Sequence, residues 1–249
     1  MAAEMSRKQI DRLGDSLKVG LVTDEDLQAL NEYRHSFSEA YEVVVTIISQ
    51  RMNLLPIGRP RKSRQSIADK LRRQTTKLSQ MQDIAGCRLV VPDSFVQEIV
   101  IDSFEAAFRD DCFEGLRMVD RRSKPSHDYR AVHLIVKTRG RPVEVQLRTA
   151  LQHRWAELSE KLSDLVDPKI KYGGGDKSIR DLLSKSSMLI SQLEEMEFNF
   201  LNSMYNFPTY ESRPGVDLQR GVDDEQEINN TKKAIFDIMD ELVILTERN

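Results

Sequence analysis

Four groups of residues in this chain combine the side-chain types that phosphate and metal chemistry requires. The first is a cationic run. Between Arg51 and Arg73 stand Arg51, Arg59, Arg61, Lys62, Arg64, Lys70, Arg72 and Arg73, opposed by a single acid, Asp69. Lys62, Ser66 and Lys70 are spaced four apart, a spacing that shares one face of a helix, with Ile67 and Leu71 as the apolar pair opposite. Such a face can grip a triphosphate. It is equally compatible with a solvated basic face or with RNA binding. The second group is Val143-Glu144-Val145-Gln146-Leu147-Arg148. Strand alternation puts the three apolar residues on one side and Glu144, Gln146 and Arg148 on the other. A carboxylate there can bind Mg2+ or accept a hydroxyl proton, and the guanidinium can hold phosphate oxygens. The polar side of an ordinary half-buried strand reads the same way. The third is Asp83, just ahead of the apolar run Ile84–Val91. It is placed for metal binding or for a local turn hydrogen bond. The fourth is Tyr129 and His133, which fall on one face if the segment is a strand. The ring can stack on a base and the imidazole can bond phosphate or ribose; a packed Tyr/His pair is the alternative.

These residues need elements to position them. Residues 5–18 form a short polar helix. Thr23 caps a longer one, with Asp24, Glu25 and Asp26 in its first turn and apolar residues at helical spacing as far as Ile48, the pattern stopping near Leu55-Pro56. Helices are expected at 63–73 and 95–108, and strands at 83–91, 116–119, 129–137 and 143–148. The last two strands are joined by a hairpin through Thr138–Pro142. From Ala150 the chain reads as helical to Val166, then breaks at a Gly-rich segment, Tyr172–Asp176. Helices follow over 179–205 and 225–248, with a loop between them. Mixed α and β in the middle with helices at both ends predicts an α+β core with helical extensions. Leu182, Leu183, Leu189, Ile190, Leu193, Met196 and Phe200 make an apolar stripe that packs on the chain's own core or on another copy. Glu194, Glu195 and Glu197 read as a solvated acidic face.

The 249 residues carry a net charge of −3, which argues against a general nucleic-acid coat. Two cysteines, Cys87 and Cys112, permit one disulfide but not a disulfide scaffold. The N-terminal stretch has no apolar signal core and no window approaches a membrane span, so no membrane association and a cytoplasmic location are expected. Gly173-Gly174-Gly175-Asp176-Lys177-Ser178 lacks the Gly before Lys that a P-loop needs. His127-Asp128 is an isolated pair, and no Cys/His zinc spacing occurs.

In order and spacing these groups resemble the synthetase domain of the RelA/SpoT family, the makers of the (p)ppGpp alarmones. Arg59-Pro60-Arg61-Lys62, then Ser66-Ile67 and Lys70, resembles the family's ATP-gripping segment. Asp83, followed by Arg88 in its strand, resembles the metal-binding Asp. Tyr129-Arg130-Ala131-Val132-His133 resembles the guanine-stacking loop, with Tyr129 as the ring. Val143–Thr149 is close to the family's most recognisable string, with Glu144 as its second acid. The likeness spans roughly residues 45–172, leaving 1–44 as N-terminal helices and 173–249 as a C-terminal helical extension.

The resemblance implies a nucleotidyltransferase-like mixed β-sheet core with flanking helices. It implies an ATP-dependent pyrophosphokinase with Mg2+ on Asp83 and Glu144. ATP is then held by Arg59, Arg61, Lys62, Ser66, Lys70 and Arg88, and the acceptor by Tyr129, His133, Gln146 and Arg148. GDP or GTP is the expected acceptor. The family's loop usually reads Asn-Gly before the tyrosine; here His127-Asp128 stands there, and Pro125-Ser126 occupy the place of an expected basic residue, with Lys124 just upstream. That departure keeps two alternatives in view. One is a toxic family member that pyrophosphorylates the 3′ end of tRNA, with an antitoxin partner. The other is a degenerate module that binds nucleotide or a partner. A small stand-alone synthetase, able to form a homo-oligomer, is the expected organisation.

Overall fold

The structure, a computed structural model, describes residues 5–109, 113–206 and 218–247. Local capping sets most helix starts. In α1 (Arg7–Val19), Ser6 and Gln9 cap each other reciprocally. In α2 (Asp24–His35), Thr23 and Asp26 do the same. The apolar pattern from Thr23 predicts one long helix, but α2 ends and α3 (Ser38–Arg51) begins after a break at Ser36-Phe37. The Ser36 hydroxyl donates to the Tyr33 carbonyl at 2.7 Å and so competes with the helical ladder. The bend buries both Tyr33 and Phe37, edge-to-face at 5.3 Å.

The rest of the chain runs β1 (Ile57–Arg59), α4 (Arg64–Arg73), β2 (Ala85–Val91), α5 (Ser94–Phe108), β3 (Phe113–Asp120), β4 (Val132–Thr138), β5 (Arg141–Thr149), α6 (Ala150–Leu165), α7 (Lys177–Asn206) and α8 (Leu218–Glu247). The strands form a five-stranded mixed sheet in the order β1-β2-β5-β4-β3. β1 pairs antiparallel to β2, with Ile57 opposite Arg88 and Arg59 opposite Gly86. β4 and β5 are joined at Arg139-Gly140, both with positive φ, which gives the hairpin the turn geometry that suits twisted strands. β4 begins later than the sequence pattern suggests. Tyr129 lies in a turn ahead of it, so Tyr129 and His133 do not share a strand face. Lys62 likewise precedes α4, whose N-cap is Ser63, so it is not on a helix face with Ser66 and Lys70. α8 starts at Leu218, earlier than the pattern from Glu225 suggests. Cys112 lies outside the described residues; Cys87 is a buried free thiol, pushed up to about 12 by burial.

By packing, the chain divides into two compact units. One comprises Met1–Leu89, Phe104–Val119 and His133–Gln146. The other comprises Val90–Ser103, Asp120–Val132 and Leu147–Asn249. The core of the second is built by α6, α7 and α8. Trp155 and Leu162 meet Leu183, Ile190 and Leu193, with Ile235, Met239 and Leu242 closing the cluster. The apolar stripe of α7 is thus spent on the chain's own core.

Glu194 corrects the expectation of a solvated acidic face. It is buried, accepting from Thr149 Oγ1 at 2.5 Å and Gln152 Nε2 at 2.9 Å, while Ser94 Oγ donates to its carbonyl at 2.8 Å. Burial raises its carboxyl above the usual range, against the pull of Thr149 and Gln152. Of its neighbours, Glu195 is exposed and Glu197 pairs with Lys232 at 2.7 Å. Replacing Glu194 by Ala strands two buried donors, and is expected to cost about 2–3 kcal/mol in a urea unfolding titration. Glu194→Gln, which keeps an acceptor oxygen, should cost less than half of that.

Candidate active site

Asp83 stands at the entry to β2, and its carboxylate is buried. Lys62 Nζ donates to Oδ2 at 2.6 Å, and Lys70 Nζ lies 2.9 Å from Oδ1. Lys62 is itself fixed by its backbone. Its N–H donates to the Ile84 carbonyl at 2.7 Å, and its carbonyl accepts from Arg34 Nε at 2.7 Å. Arg59 Nη2 donates to the Asp83 carbonyl at 3.2 Å. Burial works to raise the Asp83 carboxyl, but the charges of Lys62 and Lys70 outweigh it and hold the group at about 2. Burial pulls the Lys62 ammonium below its ordinary value, with Asp83 opposing.

Glu144 lies on the polar side of β5. His133 Nδ1 is 2.9 Å from Oε1, and Gln146 Nε2 donates to Oε2 at 2.9 Å. Burial pushes its carboxyl up, but the hydrogen bond and charge of His133 prevail, and the group sits below the usual glutamate value. The charge of Asp83 is felt at Glu144 and acts to raise it, so the two carboxylates repel. The backbone approach here is tight. A Cβ on Gly86 of β2 would come within 2.5 Å of the Glu144 carbonyl oxygen.

In the second unit, Arg148 is buried and meets Tyr129. Its Nε and Nη2 donate to the tyrosine hydroxyl at 3.2 and 2.9 Å, with the guanidinium carbon 4.9 Å from the ring centroid. Tyr129 closes a two-residue turn in which His127 and Asp128 have φ of 51° and 65°. Side chains other than glycine there cost about 1–2 kcal/mol each.

Of the residues singled out from sequence, Lys62, Lys70, Arg59 and Asp83 converge, as do Glu144, His133 and Gln146, and Arg148 with Tyr129. Ser66 instead belongs to the α4 cap, its N–H and hydroxyl bonded to Ser63 Oγ. Arg61 is exposed, and Arg88 is half-buried within β2. Sequence reasoning missed Arg34, whose role depends on a contact 28 residues away with no local signature.

The donor set fits a hard divalent cation. Asp83 and Glu144 are the carboxylates that could offer it oxygen ligands, and its charge would offset the repulsion between them. Among the described residues no group of three or more His, Cys, Asp or Glu side chains could hold a metal ion, so such a cation would take its remaining ligands from water and substrate phosphates, as Mg2+ does.

The five-stranded mixed sheet with flanking helices is the fold of small alarmone synthetases. Small alarmone synthetase 1 from Bacillus subtilis matches with a TM-score of 0.53 at 25% identity, covering 74% of this chain and 100% of that one. The same synthetase bound to its product pppGpp matches with a TM-score of 0.52 at 25% identity, over 73% of this chain and 98% of that one. Residues 58–163 match the model of the region found in RelA / SpoT proteins. Over these residues the chain is similar to RelA / SpoT proteins. Uncharacterized proteins of Mycobacterium tuberculosis and Mycobacterium bovis are 30% identical over 177 residues, 67% of this chain and 62% of theirs. The chain thus spans less than two thirds of the length of these relatives. No helix among the described residues is long and apolar enough to cross a membrane.

Two outcomes follow from this geometry. The folded-state value of Asp83 lies below the usual one, so its ionised form stabilises the fold. That contribution is complete above about pH 4, the ordinary Asp value, and is lost as pH falls towards the folded value of about 2. An acid titration followed by circular dichroism should therefore show the parent losing about 2 kcal/mol more than Asp83→Asn between those limits. Gly86→Ala should push β5 away at Glu144, costing about 1–3 kcal/mol in thermal unfolding.

Proposed function

We propose that the chain transfers the β,γ-pyrophosphate of ATP to the 3′-hydroxyl of GDP or GTP, making (p)ppGpp. The observation that carries this reading is the pair of ionised carboxylates, one buried and one partly buried. Asp83 is clasped by Lys62 and Lys70, and Glu144 is oriented by His133 and Gln146. Both acids lie inside the stretch that matches the RelA/SpoT region.

Mg2+ is the cofactor in this reading, held by Asp83 with Glu144, and it would neutralise charge on the ATP phosphates. Lys62 and Lys70, with Arg59, Arg61 and Arg88, meet the remaining phosphate charge. Glu144 is kept ionised at neutral pH, so it can accept a hydrogen bond from the acceptor hydroxyl and take its proton as the bond to the β-phosphorus forms. The bond between the β-phosphorus and the bridging oxygen of AMP breaks, and AMP leaves with that electron pair. His133 and Gln146 aim the carboxylate. Tyr129, set by Arg148, offers its ring to the guanine base. Catalysis of this kind rests on positioning and electrostatics rather than on a covalent intermediate.

One observation favours a second acceptor, the 3′ end of tRNA. The turn before Tyr129 carries the Asp128 carboxylate, which disfavours the clustered phosphates of a free nucleotide near the ring more than the spaced phosphates of RNA.

The test is label transfer from γ-32P-ATP with Mg2+ to GDP, GTP and deacylated tRNA side by side. Labelled guanosine product is expected, reduced about 100- to 1,000-fold in Glu144→Ala and in Asp83→Ala. Label on tRNA alone would replace the first reading with the second. Transfer to none of them would reduce the chain to a nucleotide-binding module.

A further inference from the structure

The turn ahead of Tyr129 is held in a conformation its own residues do not favour. Ser126 and Tyr129 exchange backbone hydrogen bonds at 3.3 and 3.2 Å across His127 and Asp128, both of which have positive φ. Asn-Gly is the pair that adopts this two-residue turn unaided. Here α7 supplies the hold. Ser187 Oγ donates to the Asp128 carbonyl at 2.6 Å and accepts from Arg130 Nε at 3.1 Å. Ser184 Oγ donates to Asp128 Oδ1 at 3.3 Å. The two serines are three apart and share a helix face. On the other side, Gly173 is bare where a Cβ would come within 2.7 Å of His127 Nδ1. α7 itself is docked by other means: Leu183, Ile190 and Leu193 are buried, and Trp155 Nε1 donates to the Leu183 carbonyl at 2.9 Å. All of α7 lies beyond residue 163, where the RelA/SpoT match ends.

We infer that Ser184 and Ser187 of α7 are positioning residues for the acceptor: they clamp the strained His127-Asp128 turn and so fix the Tyr129 ring against which the acceptor base binds. This rests on the reading of Tyr129 as the acceptor's ring. The hydrophobic dock of α7 is separable from the clamp, because neither serine supplies apolar core. An Asn-Gly turn needs no clamp, so the dependence on the serines should vanish once the turn can hold itself.

The experiment compares Ser187→Ala and the Ser184→Ala/Ser187→Ala pair in two backgrounds, the natural turn and His127→Asn/Asp128→Gly. In the natural background the acceptor KM should rise about five- to tenfold with the ATP KM unchanged, the scale of one or two lost hydrogen bonds. In the Asn-Gly background the same substitutions should change the acceptor KM less than twofold. Hydrogen exchange at the Tyr129 amide, which bonds Ser126, should quicken about tenfold in the first background only, and this reads the clamp without turnover. Fluorescence of Trp155, the single tryptophan, should stay unchanged, as a check that α7 remains docked. Unchanged exchange, an equal effect in both backgrounds, or a parallel rise in the ATP KM would each overturn the clamp. Faster exchange with an unmoved acceptor KM would overturn its positioning role. If Tyr129→Ala also leaves that KM unmoved, the assignment of the acceptor ring has failed along with it; if Tyr129→Ala raises it, only the serines' role has.

Discussion

The first unit is organised around one electrostatic requirement, the neutralisation of a buried carboxylate. Removing Asp83 from water costs several kcal/mol unless cations come with it. Lys62 and Lys70 supply them from opposite ends of a short segment. Lys62 arrives on the stretch that follows β1, and Lys70 on the far turn of α4. To deliver Lys62, the backbone is tied to Ile84 on one side and to Arg34 of α2 on the other. The position of α2 and the entry to α4 are thereby coupled to a single carboxylate.

The same arrangement suits an anionic ligand. Two ammonium groups on one carboxylate leave a surplus positive charge, with Arg59 close by at the Asp83 carbonyl. That surplus is fixed by the fold, so it need not be assembled when an anion binds. Asp83 balances the lysines enough to let them be buried without cancelling them.

Glu144, partly buried, and Glu194, buried, show how environment shifts one residue type in opposite directions. Glu144 meets an imidazole and an amide, and its carboxyl is drawn below the ordinary value. Glu194 meets a hydroxyl and an amide in a region dominated by burial, and its carboxyl is raised. The first is suited to accept a proton from a substrate. The second joins α7 to the start of α6 through Thr149 and Gln152, directly after Arg148 in the chain. Their surroundings differ in this way although both sit in segments that read as polar faces.

Much was legible from order alone. The Ile67/Leu71 pair of the helix expected at 63–73 and the alternation of Val143, Val145 and Leu147 are local, and each specified its element because side-chain period acts within a few residues. Asp83, just ahead of one apolar strand, and Glu144, on the polar side of another, are ambiguous alone and stand out only through the resemblance of their segments to the family's motifs. What the chain order could not carry was partner choice. By spacing Lys62 belongs to a helix face, yet it pairs with Asp83, 21 residues on, from outside the helix. The acidic neighbours of Glu194 suggest a solvated face, yet Thr149, 45 residues earlier, donates to its buried carboxylate. The spacing of Tyr129 and His133 suggests one strand face, but the turn at His127-Asp128 leaves Tyr129 ahead of β4, and the serines that bond Asp128 lie 56 and 59 residues further along. Periodicity is written in the covalent chain, whereas the charge or hydroxyl that meets a buried group is decided only when distant segments are packed together.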